Sequence, residues 1–177
     1  MRAAAATYRA REVDGLYTLF MNWPLSDAER RMLAEMGDAD LIREQDKHYV
    51  LPTRSPEAVK QGYDVTLPLE IPSANPRTRY PISFYIADDP TNPRVQTITL
   101  RLGISDLLGA DELDIRLNGE ALDGEVCTRS TLRHIDPYMG QWLNYDLQKV
   151  RPRQGDNVLD ITLVSCPTNI SSDLAVE

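Results

Sequence analysis

Trp142 and Tyr145 lie three residues apart in "QWLNYDL". Aromatic faces of this kind can stack on the apolar face of a sugar ring. Leu143, Tyr145 and Leu147 would share one face of an extended strand, which makes that face the core. Trp142 then points to the other face, or into a seam between domains, and is a candidate saccharide contact. Paired carboxylates suggest other chemistry, either acid–base work or calcium binding. The candidates are Asp88-Asp89, Asp111-Glu112, and Asp123 with Glu125. Each lies between apolar runs, where Asp initiates turns, and no D-x-D-x-D-G loop exists. The solvated-turn reading is therefore preferred, and neither a metal site nor a catalytic pair is assigned.

The only histidines are His48 and His134, too few for a His-rich zinc site. Ser130 and His134 are four apart, but nothing orients them as a triad. Cys127 and Cys166 are far apart and lack metal-ligand spacing. Two independent reduced thiols are preferred over a disulfide. Asn169-Ile170-Ser171 fits a glycosylation acceptor, a match short enough to arise by chance. No cofactor is implied.

These residues need elements to position them. Ala3 to Glu12 is rich in Ala and Arg and predicts a helix ended by Asp14-Gly15. Leu16 to Trp23 is a nearly continuous apolar run stopped by Pro24, the pattern of a buried strand. Ser26 lies three residues ahead of Glu29, a capping-box spacing, so a helix starts there and ends at Gly37. Asp38 caps a shorter helix, Ala39 to Lys47, with Leu41 and Ile42 facing inward. Helix, buried strand, helix is a parallel-sheet pattern. Pro52 to Gln61 reads as a linker or loop.

From Tyr63 the period becomes two. Val65, Leu67, Leu69 and Ile71 form the first set, with Pro68 demoting it to an edge or irregular strand. Tyr80 to Ile86, Ile98 to Ile104, Leu113 to Leu117, Leu143 to Leu147 and Leu159 to Leu163 give five more. Asn118-Gly119 is a strong two-residue hairpin signal. Asp88 to Arg94 is a turn-rich loop. Asp123 to Gly140 is a mixed connection with a short strand expected near Thr131 to Ile135. Half-apolar strands at this spacing predict a two-sheet antiparallel sandwich. "SSDLAVE" begins another alternating segment, for which a closing strand would be expected to need several more residues.

The chain has 177 residues and a net charge of −8. Nucleic-acid and anionic-membrane partners favour basic patches, so both are disfavoured. No apolar run approaches the roughly 18 residues of a membrane span.

"DGLYTLFMNW" followed by "LAEMGDADLIREQDKHYVL" resembles the last strand and helix of a (β/α)8 barrel in bacterial glycoside-hydrolase-like proteins. "ITLRLGISDLLGADELDIRLNGEAL", "QWLNYDL" and "VRPRQGDNVLDITL" resemble the galactose-binding-like β-sandwich that follows such barrels. The resemblance implies a sugar-related parent whose catalytic acids would lie on earlier strands that this chain lacks. It places Trp23 and Asn22 at the C-terminal rim of a barrel strand, where active sites sit. There Trp23 would stack on a sugar and Asn22 would bond a hydroxyl. The alternative is that Trp23 packs under the helix beginning at Ser26.

The resulting expectation is a mainly β chain. Residues 1–54 would be a helix–strand–helix remnant of a (β/α)8 barrel. Residues 55–177 would be a truncated antiparallel β-sandwich, jelly-roll-like. The expected function is that of a non-catalytic C-terminal region of a glycoside-hydrolase-like protein, buttressing the barrel, with the missing barrel as partner and a carbohydrate as ligand. The alternatives are an independent carbohydrate-binding module and a plain structural or interaction domain.

Overall fold

In the computed structural model, which describes residues 1–16, 23–62, 65–132, 140–167 and 172–177, two antiparallel sheets form a β-sandwich. One sheet has the order β1 (Leu69–Ile71), β9 (Leu174–Val176), β3 (Thr99–Ser105), β7 (Gly140–Asp146), β6 (Val126–Thr131). The other has the order β2 (Arg79–Ile86), β8 (Gly155–Ser165), β4 (Glu112–Leu117), β5 (Glu120–Ala121). The alternating sets supply the space between them. Ile82, Leu102, Ile104, Ile115, Leu143 and Ile161 are all buried in one cluster.

Asn118 and Gly119 join β4 to β5 with φ of 52° and 89°. Both lie in the left-handed region that the favoured two-residue hairpin turn demands. Asn118 also anchors the turn: its Oδ1 accepts from the Val158 N–H, and its Nδ2 donates to Asn157 Oδ1. Buried Asn157 in turn accepts from the Arg153 N–H and donates to the Arg153 and Gly155 carbonyls.

Several expectations change. Val65 and Leu67 fall outside β1, which starts only after Pro68, a residue with no N–H to give a ladder. Leu67 instead makes an isolated parallel bridge to Thr53. Pro52 to Gln61 is not wholly irregular, because Pro56–Lys60 forms a short helix, α4; Pro is well placed at a first helical position. β6 ends at Thr131, the first residue of the strand expected near Thr131 to Ile135, and the rest of that expectation falls largely on residues 133–139, outside the described residues. "SSDLAVE" yields a strand of three residues, β9. Leu174 and Val176 are buried and β9 pairs with both β1 and β3.

The first residues form three helices, α1 (Arg2–Ala10), α2 (Asp27–Gly37) and α3 (Ala39–Arg43). Ser26 and Glu29 make the full capping box, and the Asp38 side chain caps α3. The third helix is shorter than expected. Ile42 is buried but Leu41 is 50% exposed, so Leu41 does not face inward. A one-turn helix offers a narrow inner stripe, and Ile42 fills it with Ala5 and Met36. Arg2 holds Glu35 through two hydrogen bonds, at 2.7 and 3.1 Å. Arg9 donates to the carbonyls of Met36 and Gly37, which α2 leaves unpaired at its end. The expected strand Leu16 to Trp23 falls largely on residues 17–22, outside the described residues.

Candidate functional site

Three surfaces qualify, each built by a different part of the fold. The first belongs to the helical unit. Of the eight exposed large hydrophobic residues among those described, six lie within residues 1–54: Met1, Tyr8, Val13, Trp23, Leu41 and Val50. Trp23 is 86% exposed and therefore does not pack under α2. Asn22, its expected neighbour at a sugar, lies outside the described residues.

Among the described residues, several polar contacts join the helical unit to the sandwich. Lys47, whose side chain is only 5% exposed, pairs with Asp88 at 3.0 Å. The Tyr49 hydroxyl donates to the same carboxylate at 2.7 Å and accepts from the N–H groups of Ala87 and Asp88. Burial, and then the bond to Asp88, push the Tyr49 phenol well above the ordinary tyrosine value. Arg94 pairs with Glu44, and the Arg11 guanidinium lies 4.8 Å from the Tyr85 ring centre. The turn-rich "DDPTNPR" loop is thus a docking loop. Its own shape is set by Asp89 bonding Thr91 and Asn92 bonding Arg94.

The second surface is the outer face of the five-stranded sheet. Trp142 sits opposite Gly103, and Arg101 opposite Asn144, so all four share one face. The indole covers Gly103 so closely that a Cβ there would lie 3.0 Å from the ring. Glycine weakens a strand; here it makes room for the ring. The Arg101 guanidinium lies 4.8 Å from the indole centre, and its Nε donates to Asn144 Oδ1. Trp142 is therefore half-buried and partly covered by a cation rather than bare. Trp23 and Trp142 belong to different units, as the sequence led one to expect.

The third is a cleft of about 510 Å³ between the sheets, lined by Asp111, Glu112, Leu113, Arg129, Leu143 and Tyr145 among others. Burial raises the Tyr145 phenol above its ordinary value, as does the Cys127 thiol bonded to it; Arg129 works against both. Sequence reasoning overlooked Arg129 because "VCTRST" has no apolar alternation to mark a strand. Arg101 was legible in principle, since the period of two in "TLRLGIS" puts it opposite the core face.

The acidic clusters have structural work. Buried Asp111 accepts from the Leu108 N–H, and Glu112 accepts from the Ser165 hydroxyl. Glu125 accepts from the N–H groups of Gln148, Lys149 and Val150 at 2.6 to 3.0 Å. Burial opposes ionisation of Glu125, but these three donors prevail and hold it below the usual carboxylate value. Among the described residues no group of three or more His, Cys, Asp or Glu could hold a metal ion. Cys127 and Cys166 are free thiols and His48 is exposed. His134 and Asn169-Ile170-Ser171 lie outside the described residues. No helix among the described residues is long and apolar enough to cross a membrane.

Comparison with known protein families finds none that matches the chain, and no curated protein matches it.

Proposed function

We propose that the chain is a non-catalytic accessory region whose helical unit docks against further protein, the sandwich serving as its rigid base. The observation that carries this reading is that six of the eight exposed large apolar residues among those described fall within residues 1–54, with Val59 and Val126 the two elsewhere. Singly exposed apolar residues are ordinary, and their concentration within one unit is what supports docking there. The resemblance of the first fifty residues to the end of a (β/α)8 barrel names the partner: the earlier strands and helices of a glycoside-hydrolase-like barrel.

Two tryptophans, one per unit, make the test direct. A Trp142→Phe variant leaves Trp23 as the sole indole. Adding a glycoside-hydrolase-like barrel that lacks its last strand and helix should shift Trp23 emission to shorter wavelength. Unchanged emission at saturating barrel would overturn the reading. The chain alone should show no saturable turnover of aryl-glycosides.

A second reading is a carbohydrate-binding module, favoured by Trp142 laid over Gly103 beside Arg101 and Asn144. Retardation on a polysaccharide gel, abolished in Trp142→Ala, would support it. Migration identical to that of a non-binding control would exclude it for that polysaccharide.

A further inference from the structure

A β-sandwich of two open sheets has four edge strands, and each unpaired edge is a template for another strand. Three of the four edges here are blunted. β1 has three residues and follows Pro68, β5 has two residues, and β2 carries Pro81 within its run. The fourth, β6, has six residues, no proline, and a continuous register against β7. All six are exposed, and no strand among the described residues pairs with this edge.

The ladder shows which groups are open. The Leu132 N–H donates to the Gly140 carbonyl, and every pair from Val126↔Asp146 to Thr131↔Gln141 keeps the same register. In an antiparallel ladder alternate residues point their main-chain groups at the neighbour. Ser130, Thr128 and Val126 therefore bond to β7. Cys127, Arg129 and Thr131 direct their N–H and C=O groups away from the sheet. Their side chains share the face of Leu143 and Tyr145, where Arg129 lines the cleft between the sheets. Among the described residues no carboxylate lies within ion-pair range of Arg129.

We propose that β6 is a β-augmentation edge that takes an extended, acidic segment of a partner protein as a sixth strand. Main-chain bonds to Cys127, Arg129 and Thr131 would supply affinity, and alternate side chains of the added strand would reach the cleft. A carboxylate opposite Arg129 would complete an oppositely charged cross-strand pair. A second copy of the chain fits poorly. The symmetric antiparallel register that uses all three open residues sets Arg129 against Arg129, and like charges directly opposite are destabilising.

The probes are two blocked seven-residue peptides of alternating valine and threonine, one with a central glutamate and one with a central lysine. NMR titration of the intact chain should show the glutamate peptide shifting the amides of Cys127, Arg129 and Thr131 and slowing their hydrogen exchange. Its affinity should exceed that of the lysine peptide by about threefold or more, the scale of one cross-strand ion pair. Arg129→Glu, at an exposed position, should reverse the preference. Thr131→Pro removes an outward N–H while sparing the β7 ladder, and should weaken both peptides. Equal affinity for the two peptides, shifts confined to residues outside β6, or protection of these amides by protein concentration alone would each overturn the proposal.

Discussion

The sandwich and the helical unit are built from the same chain by opposite means. Among the described residues, the sandwich gathers sixteen buried apolar residues in one cluster, whereas the cluster of the helical unit holds three, Ala5, Met36 and Ile42. Among the described residues, polar contacts join the helices at several points. Arg2 clasps Glu35, Arg9 caps the end of α2, and the Ser26–Glu29 box and Asp38 fix two helix starts. Directional bonds fix geometry, but each contributes only about 0.5–1.5 kcal/mol net. A buried leucine or isoleucine contributes about 1.5–3 kcal/mol. The difference teaches that one part carries the stability and the other carries an orientation.

The strongest way to break this contrast is to empty the sandwich. Ile161→Ala should destabilise the whole chain by about 2–5 kcal/mol, seen as one cooperative drop in thermal midpoint. Ile42→Ala, also at a buried site, should instead melt the helices alone. Its cost of about 2 kcal/mol should appear as lost helical circular dichroism with the midpoint of the sandwich unmoved. A cooperative loss of both parts in Ile42→Ala would show that they fold as one.

The junction gives a third, smaller effect. Asp88→Asn leaves buried Lys47 without its counter-ion and weakens the Tyr49 bond. Protease cleavage between residues 44 and 56 should then accelerate, with a local cost of about 1–3 kcal/mol. The same joint has a pH signature. The Tyr49 phenol is raised in the folded chain, so its contribution is intact below the ordinary tyrosine value near 10. It is lost as pH rises through the folded value, because the unfolded chain ionises first. The thermal midpoint should therefore fall more steeply above pH 10 in the native chain than in Tyr49→Phe, which has no phenol to ionise. The mildest test is Ser26→Ala, which removes one cap and should cost about 1 kcal/mol, read as fraying of α2 alone.

Much of the sandwich was legible because burial on one face writes a period of two into the chain. Ile98 to Ile104 and Leu159 to Leu163 fall within or beside β3 and β8 almost residue for residue. The helix starts at Ser26 and Asp38 were equally plain, since a cap is a local bond between residues three apart or fewer. What resisted was whatever depends on a distant partner. β6 is exposed on every residue and owes its conformation to β7, so its own composition carries no signal. Leu41 looked like a core residue by type, yet a one-turn helix had room inside for Ile42 only. Of the candidate contacts, Trp142 could be assigned a face from alternation. Its close fit over Gly103 could not, because the register between β3 and β7 is a tertiary fact.

The position of β9 has a consequence for how the chain reaches this state. β1 is joined to its sheet by β9, with Leu69 opposite Val176 and Ile71 opposite Leu174. Those partners stand about a hundred residues apart, the kind of separation that slows acquisition of structure. During synthesis β1 must therefore wait, unpaired, until residues 174–176 have left the ribosome, and the five-stranded sheet can close only then.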